Sequence, residues 1–161
     1  MRKALLIGIN AYPDGNELTG CIDDIYQVKT ALERNGDGSP NFDVITMPDV
    51  QTSAEVMEGI NKLFQGDEEC ALLYFSGHGF VNDTGAEIVM PQNISQPTSY
   101  YMGIQMSTIM NVVNASNVHN KIVILDCCHS GNIGKYNLQD ASSHLQSGVS
   151  ILTACREDEY A

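Results

Sequence analysis

Two short segments carry residues able to do covalent chemistry. One reads Ser76-Gly77-His78-Gly79, the other Asp126-Cys127-Cys128-His129-Ser130-Gly131. A cysteine thiol, with a reference pKa of about 8.5, is mostly protonated at neutral pH; a neighbouring imidazole can take its proton and make it a nucleophile. Glycines on both sides of His78 let the backbone come close to a substrate. The amide N–H groups of Gly79 and of the nucleophilic cysteine are then the donors for a developing oxyanion. A zinc site built from Cys127, Cys128 and His129 is a poor alternative. Adjacent residues rarely converge on one tetrahedral ion, and no second ligand pair is spaced for it. His119 and His144 lie in polar surroundings and read as surface residues.

Both segments follow apolar runs, residues 71–75 and 122–125, and further runs occupy 4–9, 42–47 and, shorter, 149–153. Such runs do not alternate, so they predict strands buried on both faces, as in a parallel sheet. Helical periodicities lie between them. Ile25, Val28, Ala31 and Leu32 share a face, followed by Asn35-Gly36 as a stop. Thr52 and Glu55 form a capping box ahead of Val56, Ile60, Leu63 and Phe64. Ile109, Met110, Val112 and Val113 mark a third helix after Ser107. This alternation predicts an α/β layered domain, whose ligands bind beyond the carboxyl ends of the strands. If the third and fourth strands are neighbours, His78 and a cysteine meet at that edge.

The 161 residues suit one domain, residues 1–161. Hydrophobic residues make up 43%, enough for a core. Eight Lys+Arg against 20 Asp+Glu give a net charge of −12, which argues against nucleic acid or an anionic membrane as partner. It suits a cationic substrate or a metal ion equally well, and a soluble acidic surface better than either. There is no apolar run of about 18 residues, so no membrane-spanning helix is expected. The basic-then-apolar start reads as a first buried strand rather than a signal peptide. Five cysteines without a CxxC pair fit reduced thiols and a cytoplasmic location. A nucleotide-binding domain is disfavoured, because residues 8–15 hold neither GxGxxG nor a P-loop lysine.

His78 precedes Cys128 by 50 residues, and a histidine roughly that far upstream of the cysteine is the caspase spacing. The local pattern differs from the caspase signature, which has glutamine where Asp126 stands. Taken with Tyr74-Phe75-Ser76-Gly77-His78-Gly79, the opening Leu5-Leu6-Ile7-Gly8-Ile9-Asn10 and Gly20-Cys21-Ile22-Asp23-Asp24, the sequence closely resembles metacaspases and their bacterial relatives in the caspase-like clan. The resemblance spans nearly the whole chain. It implies a caspase-like three-layer sandwich, with a mostly parallel central sheet flanked by helices. It implies a cysteine endopeptidase with His78 as catalytic histidine and Cys128 as nucleophile. Cys127 falls where the family often has serine and reads as a small space-filler. The resemblance also implies cleavage after Arg or Lys at P1, the residue on the acyl side of the scissile bond. The P1 side chain would enter a pocket of Cys21, Asp24, Ser76 and Asp126. An acid beside the nucleophile by itself suits a cationic P1 group. Asp24 has a plainer reading, a carboxylate favoured at a helix N-terminus, and Asp23 is its immediate neighbour. Regulated cell death or bacterial defence is suggested by the resemblance alone.

Two departures stand out. Many metacaspases hold calcium on aspartates after the histidine and one beyond the cysteine. Here those places read Pro91-Gln92-Asn93, Gln105-Met106-Ser107 and Lys135, leaving scattered acids such as Asp83 and Glu87. A hard cation wants several oxygens, usually including carboxylates, so no calcium or other cofactor is expected. The family also continues past the fifth strand into a small-subunit part, whereas this sequence ends at Cys155-Arg156-Glu157-Asp158-Glu159-Tyr160-Ala161. The expectation is a large-subunit domain whose remainder is a C-terminal fragment or partner chain, activated by processing (at Lys135 or Arg156) or by that partner. The polar segment 134–144 reads as a loop or short helix. The competing function is a catalytically silent caspase-like scaffold, against which the presence of both His78 and Cys128 argues.

Overall fold

Each long apolar run becomes a strand of one sheet in the computed structural model, which describes residues 1–82, 85–95, 103–127 and 147–153. The elements in chain order are β1 (Arg2–Gly8), α1 (Cys21–Glu33), β2 (Asp43–Pro48), α2 (Ser53–Phe64), β3 (Cys70–Gly77), β4 (Gly79–Asn82), β5 (Gly85–Val89), α3 (Pro91–Ser95), β6 (Gly103–Gln105), α4 (Met106–Ala115), β7 (Asn120–Cys127) and β8 (Val149–Thr153). The main sheet has five strands in the order β2-β1-β3-β7-β8. Every neighbouring pair in it is parallel. The central β3 is buried along its whole length and β1 along most of it. At the sides, β2 and β8 alternate or stand half-exposed, so burial on both faces does not extend to those two.

Side-chain parity splits the core into two layers. Ala4 and Leu6 of β1 and Leu72 and Tyr74 of β3 pack with Ile25 of α1 on one face. Leu5, Ile7, Leu73, Phe75, Val123 and Leu125 face the other way, toward α2 and α4. The expected three-layer α/β sandwich is therefore present. Within α1, Ile25 is fully buried and Val28 and Leu32 partly so, but Ala31 is exposed. The apolar stripe of α1 follows Ile25, Val28 and Leu32 along the sheet and is narrower than the spacing suggested.

Local signals explain the helix ends. Thr52 and Glu55 form the reciprocal capping box of α2, and Val56, Ile60, Leu63 and Phe64 are its buried residues. No side chain of Gly20 can cap α1; instead Asn10 Oδ1 accepts from the Cys21 N–H at 3.0 Å. Gly8 lets α1 approach β1, since a Cβ there would lie 2.4 Å from the Cys21 carbonyl oxygen. The start of α1 is thus fixed against the carboxyl end of β1.

After β3 the chain forms a second sheet of three antiparallel strands, β4-β5-β6. Its strands and the short α3 were not anticipated. Strands of four and three residues are too short to show a period. No helix among the described residues is long and apolar enough to cross a membrane.

Candidate active site

β3 and β7 pair in parallel with Tyr74 opposite Ile124, Ser76 opposite Asp126 and Gly77 opposite Cys127. This ladder brings the two motif-bearing strand ends together. His78 and Cys128 are the next residues in sequence after its last pair. Cys128 lies outside the described residues, as do His129, Lys135, the segment 134–144, His144 and Arg156. Cys127 faces the α2/α4 side and is 1% exposed in the core, as expected of a space-filling residue.

The main chain of His78 leaves β3 between two anchors. Its N–H donates to the Tyr12 hydroxyl at 3.0 Å, and its carbonyl accepts from the Val89 N–H at 2.9 Å. The imidazole is held separately, with Nε2 2.7 Å from the Asn16 carbonyl oxygen. A carbonyl oxygen only accepts, so Nε2 carries the hydrogen and Nδ1 is the nitrogen free to act as a base. Gly79 follows as the buried first residue of β4.

On the α1 face, Tyr74 and Ser76 point the same way from β3. Ser76 Oγ donates to Asp24 Oδ2 at 3.3 Å, and the Tyr74 hydroxyl donates to Asp126 Oδ2 at 3.0 Å. Cys21 lies in the same corner and is buried there. The four residues expected from the sequence to form a pocket do line one cleft of ≈ 360 Å³, together with Glu17, Leu18, Thr19 and Gly77. Asp23, the alternative to Asp24, is exposed and does not line it. Asp24 also occupies the first turn of α1, so the helix-terminus reading and the cleft reading hold together.

Glu17 was not anticipated. Its signal is only its place just before Gly20-Cys21-Ile22-Asp23-Asp24, in a loop whose path no periodicity reveals. With it the lining has, among the described residues, three carboxylates and no lysine or arginine. Burial pushes the Cys21 thiol up, and the nearby Asp24 and Asp126 charges push the same way. The Tyr74 phenol is raised far above its ordinary value, chiefly by burial and then by the Asp126 charge. Burial thus disfavours the charged form of both groups.

Several of the positions considered for calcium lie among the described residues. Asn93 Oδ1 accepts from the Met90 N–H at 3.1 Å, and Met106 is buried in the core. Glu87 is fully buried in the small sheet, opposite Phe80 and Gln105, and Asp83 lies outside the described residues. Among the described residues no three His, Cys, Asp or Glu side chains are grouped to hold a metal ion.

A larger cleft of ≈ 530 Å³ lies at the other side of the sheet, between β2 and α2, lined by Leu5, Ile45, Met47, Gly59 and Leu63 among others. Among the described residues it shares none with the acidic cleft.

Comparison with known proteins agrees with this geometry. The family model described as Caspase domain matches residues 1–161. Metacaspase-1A of Aspergillus oryzae is 30% identical over 148 residues, which is 81% of this chain and 34% of that protein. Metacaspase-1 of Ajellomyces capsulatus is 28% identical over 147 residues, 81% of this chain and 40% of its own length. Metacaspase-1 of Eremothecium gossypii is 36% identical over 86 residues, 48% of this chain and 19% of its own. The chain thus spans well under half the length of these relatives.

Proposed function

Since the chain belongs to the caspase domain family of cysteine peptidases, we propose that it forms the catalytic large-subunit domain of an endopeptidase that cuts after arginine or lysine. The observation that carries this reading is the cleft of Asp24, Asp126 and Glu17, with no basic lining residue among the described residues, beside the strand end that delivers His78. A guanidinium or ammonium group entering it meets carboxylates already oriented by Ser76 and Tyr74. An aspartate at P1 would meet only repulsion.

In this mechanism Cys128 is the nucleophile and His78 the base. His78 Nδ1 takes the thiol proton, and the sulfur forms a bond to the scissile carbonyl carbon. The resulting oxyanion is held by the amide N–H groups of Gly79 and Cys128. As the C–N bond breaks, His78 gives its proton to the leaving amine, and a thioester remains. Water, deprotonated by the same Nδ1, then attacks the thioester, releasing the carboxylate product and the thiol. The hydrogen bond from Nε2 to the Asn16 carbonyl supports this assignment, because it fixes the tautomer that leaves Nδ1 bare. No step uses calcium.

A small-subunit part, as a further segment or a partner chain, is proposed to extend the sheet beyond β8. Among the described residues β8 pairs on one side only, and Leu152 is 56% exposed. Activation by processing or by that partner belongs to the same proposal, as does a cytoplasmic location with reduced thiols. The experiment is peptide cleavage by the full protein and by its Cys128→Ala and His78→Ala variants, with calcium added or chelated. Loss of turnover in both variants, with no effect of calcium, is the expected result. Turnover retained in either variant contradicts the dyad.

A further inference from the structure

Tyr12 sits in the loop between β1 and α1, in the middle of Asn10-Ala11-Tyr12-Pro13-Asp14-Gly15. Nothing in that stretch marks it as more than a core aromatic, and at 1% exposure it fills that role. Its hydroxyl has a narrower use. It accepts from the His78 N–H at 3.0 Å and donates to the Val89 carbonyl at 2.9 Å, while the Val89 N–H donates to the His78 carbonyl at 2.9 Å. The three bonds close a ring through the Tyr12 hydroxyl and the main chains of two residues, His78 and Val89. The aromatic ring of Tyr12 also meets the imidazole, with centroids 4.4 Å apart and planes at 60°. Gly77 is shaped to this contact, since a Cβ there would lie 2.6 Å from the Tyr12 hydroxyl oxygen.

We propose that Tyr12 is the positioning residue for His78: its hydroxyl fixes the main chain, and its ring fixes the imidazole plane. The proposal rests on His78 acting as the base. The same loop reaches His78 twice, through Tyr12 to the backbone and through the Asn16 carbonyl to Nε2. The loop is itself anchored, because Asp49 Oδ1 accepts from the N–H groups of Asn10 and Ala11 at 2.8 and 2.9 Å. The Leu18 N–H closes the loop onto the Asn10 carbonyl at 2.9 Å. Burial holds the Tyr12 phenol far above its ordinary pKa, so it stays neutral and keeps donating to Val89. A plain core aromatic would need the ring alone. A positioning residue needs the hydroxyl, because a proton-transfer group misplaced by about 1 Å can cost on the order of a hundredfold in rate.

The test is Tyr12→Phe in the full protein, which keeps the ring and removes the hydroxyl. The expected result is a kcat lower by about tenfold to a hundredfold, with KM for an arginine peptide changed by less than about twofold. A second readout does not depend on turnover. Nitrogen NMR of the His78 ring, assigned by its disappearance in His78→Asn, should show one Nε2–H tautomer in the parent protein and a mixture in Tyr12→Phe. If Tyr12→Phe fails to fold, Gly77→Ala takes its place, since its methyl group displaces the same hydroxyl. A folded Tyr12→Phe with unchanged kcat overturns the proposal; where turnover cannot be measured, an unchanged tautomer does so. Full turnover in His78→Ala would instead overturn the reading of His78 as base, whatever Tyr12→Phe does.

Discussion

Ser76 stands directly opposite Asp126 across the β3–β7 ladder, and its own hydroxyl reaches the other way, to Asp24 on α1. Ser76 thus lies between two of the three carboxylates that line the cleft, bonded to Asp24 and in register with Asp126. Tyr74, two residues earlier on the same face of β3, orients Asp126 from below. The acidic pocket is a direct result of strand register and period-two alternation.

Removing one charge tests that pocket. Asp126→Asn keeps the shape and loses the carboxylate. The kcat/KM for arginine peptides should fall by about thirtyfold or more, as expected when one partner of a buried charge pair is lost. Activity toward an uncharged P1 residue should barely change. Steady-state kinetics on matched arginine and leucine peptides checks this. An equal loss on both would show that Asp126 does not read the P1 charge.

Alkali should destabilise the fold in two stages. Cys21 and Cys70 have raised thiol pKa values, and Tyr12 and Tyr74 raised phenol values, all chiefly from burial. Above the unfolded values, about 8.5 for thiols and 10 for phenols, the folded chain holds protons that the unfolded chain has released. Stability from these groups is therefore complete below about pH 8.5 and is lost as pH rises toward the folded values. Urea midpoints between about pH 7 and 11 should fall, most steeply beyond 10. A flat profile contradicts this.

Thiol reactivity should separate the cysteines. Cys21, Cys70 and Cys127 are 6%, 8% and 1% exposed. Cys128, paired with His78 in the proposed mechanism, should be alkylated first by iodoacetamide at about pH 7.5. The three buried thiols should react only on unfolding. Peptide mapping by mass spectrometry after partial labelling checks the order.

Gly8→Ala should damage both stability and specificity. Its methyl group would meet the Cys21 carbonyl at 2.4 Å and Ile25 Cγ2 at 2.9 Å, forcing α1 away from β1. The cost should be about 1–3 kcal/mol, read as a lower melting temperature. Asp24 moves with the helix, so selectivity for arginine should weaken as well. Gly36→Ala is the control, because a Cβ there meets nothing within 4 Å.

Much of this was legible from the chain. Unbroken apolar runs identified the five main strands, and Thr52 with Glu55 marked the start of α2 as found. Asp126 was legible as an acid beside the nucleophile, whereas Asp24 and Ser76 were singled out through the resemblance to metacaspases. The small sheet was not, since β4 and β6 are too short for a period. Tyr12 and Glu17 were missed for another reason. Both lie in the β1–α1 loop, where side-chain direction follows tertiary anchors such as Asp49. A single sequence does not display those anchors. The exposure of Ala31 beside the partly buried Leu32 reflects the same limit: periodicity gives a helix face but not the width of its contact.

The most direct test of the central claim is cleavage of fluorogenic peptides bearing Arg, Lys, Leu or Asp at P1, by the full protein and its Cys128→Ala form. The account predicts cleavage after Arg and Lys, negligible cleavage after Asp, and none in the variant. Cleavage after Asp, or turnover that survives Cys128→Ala, would contradict it.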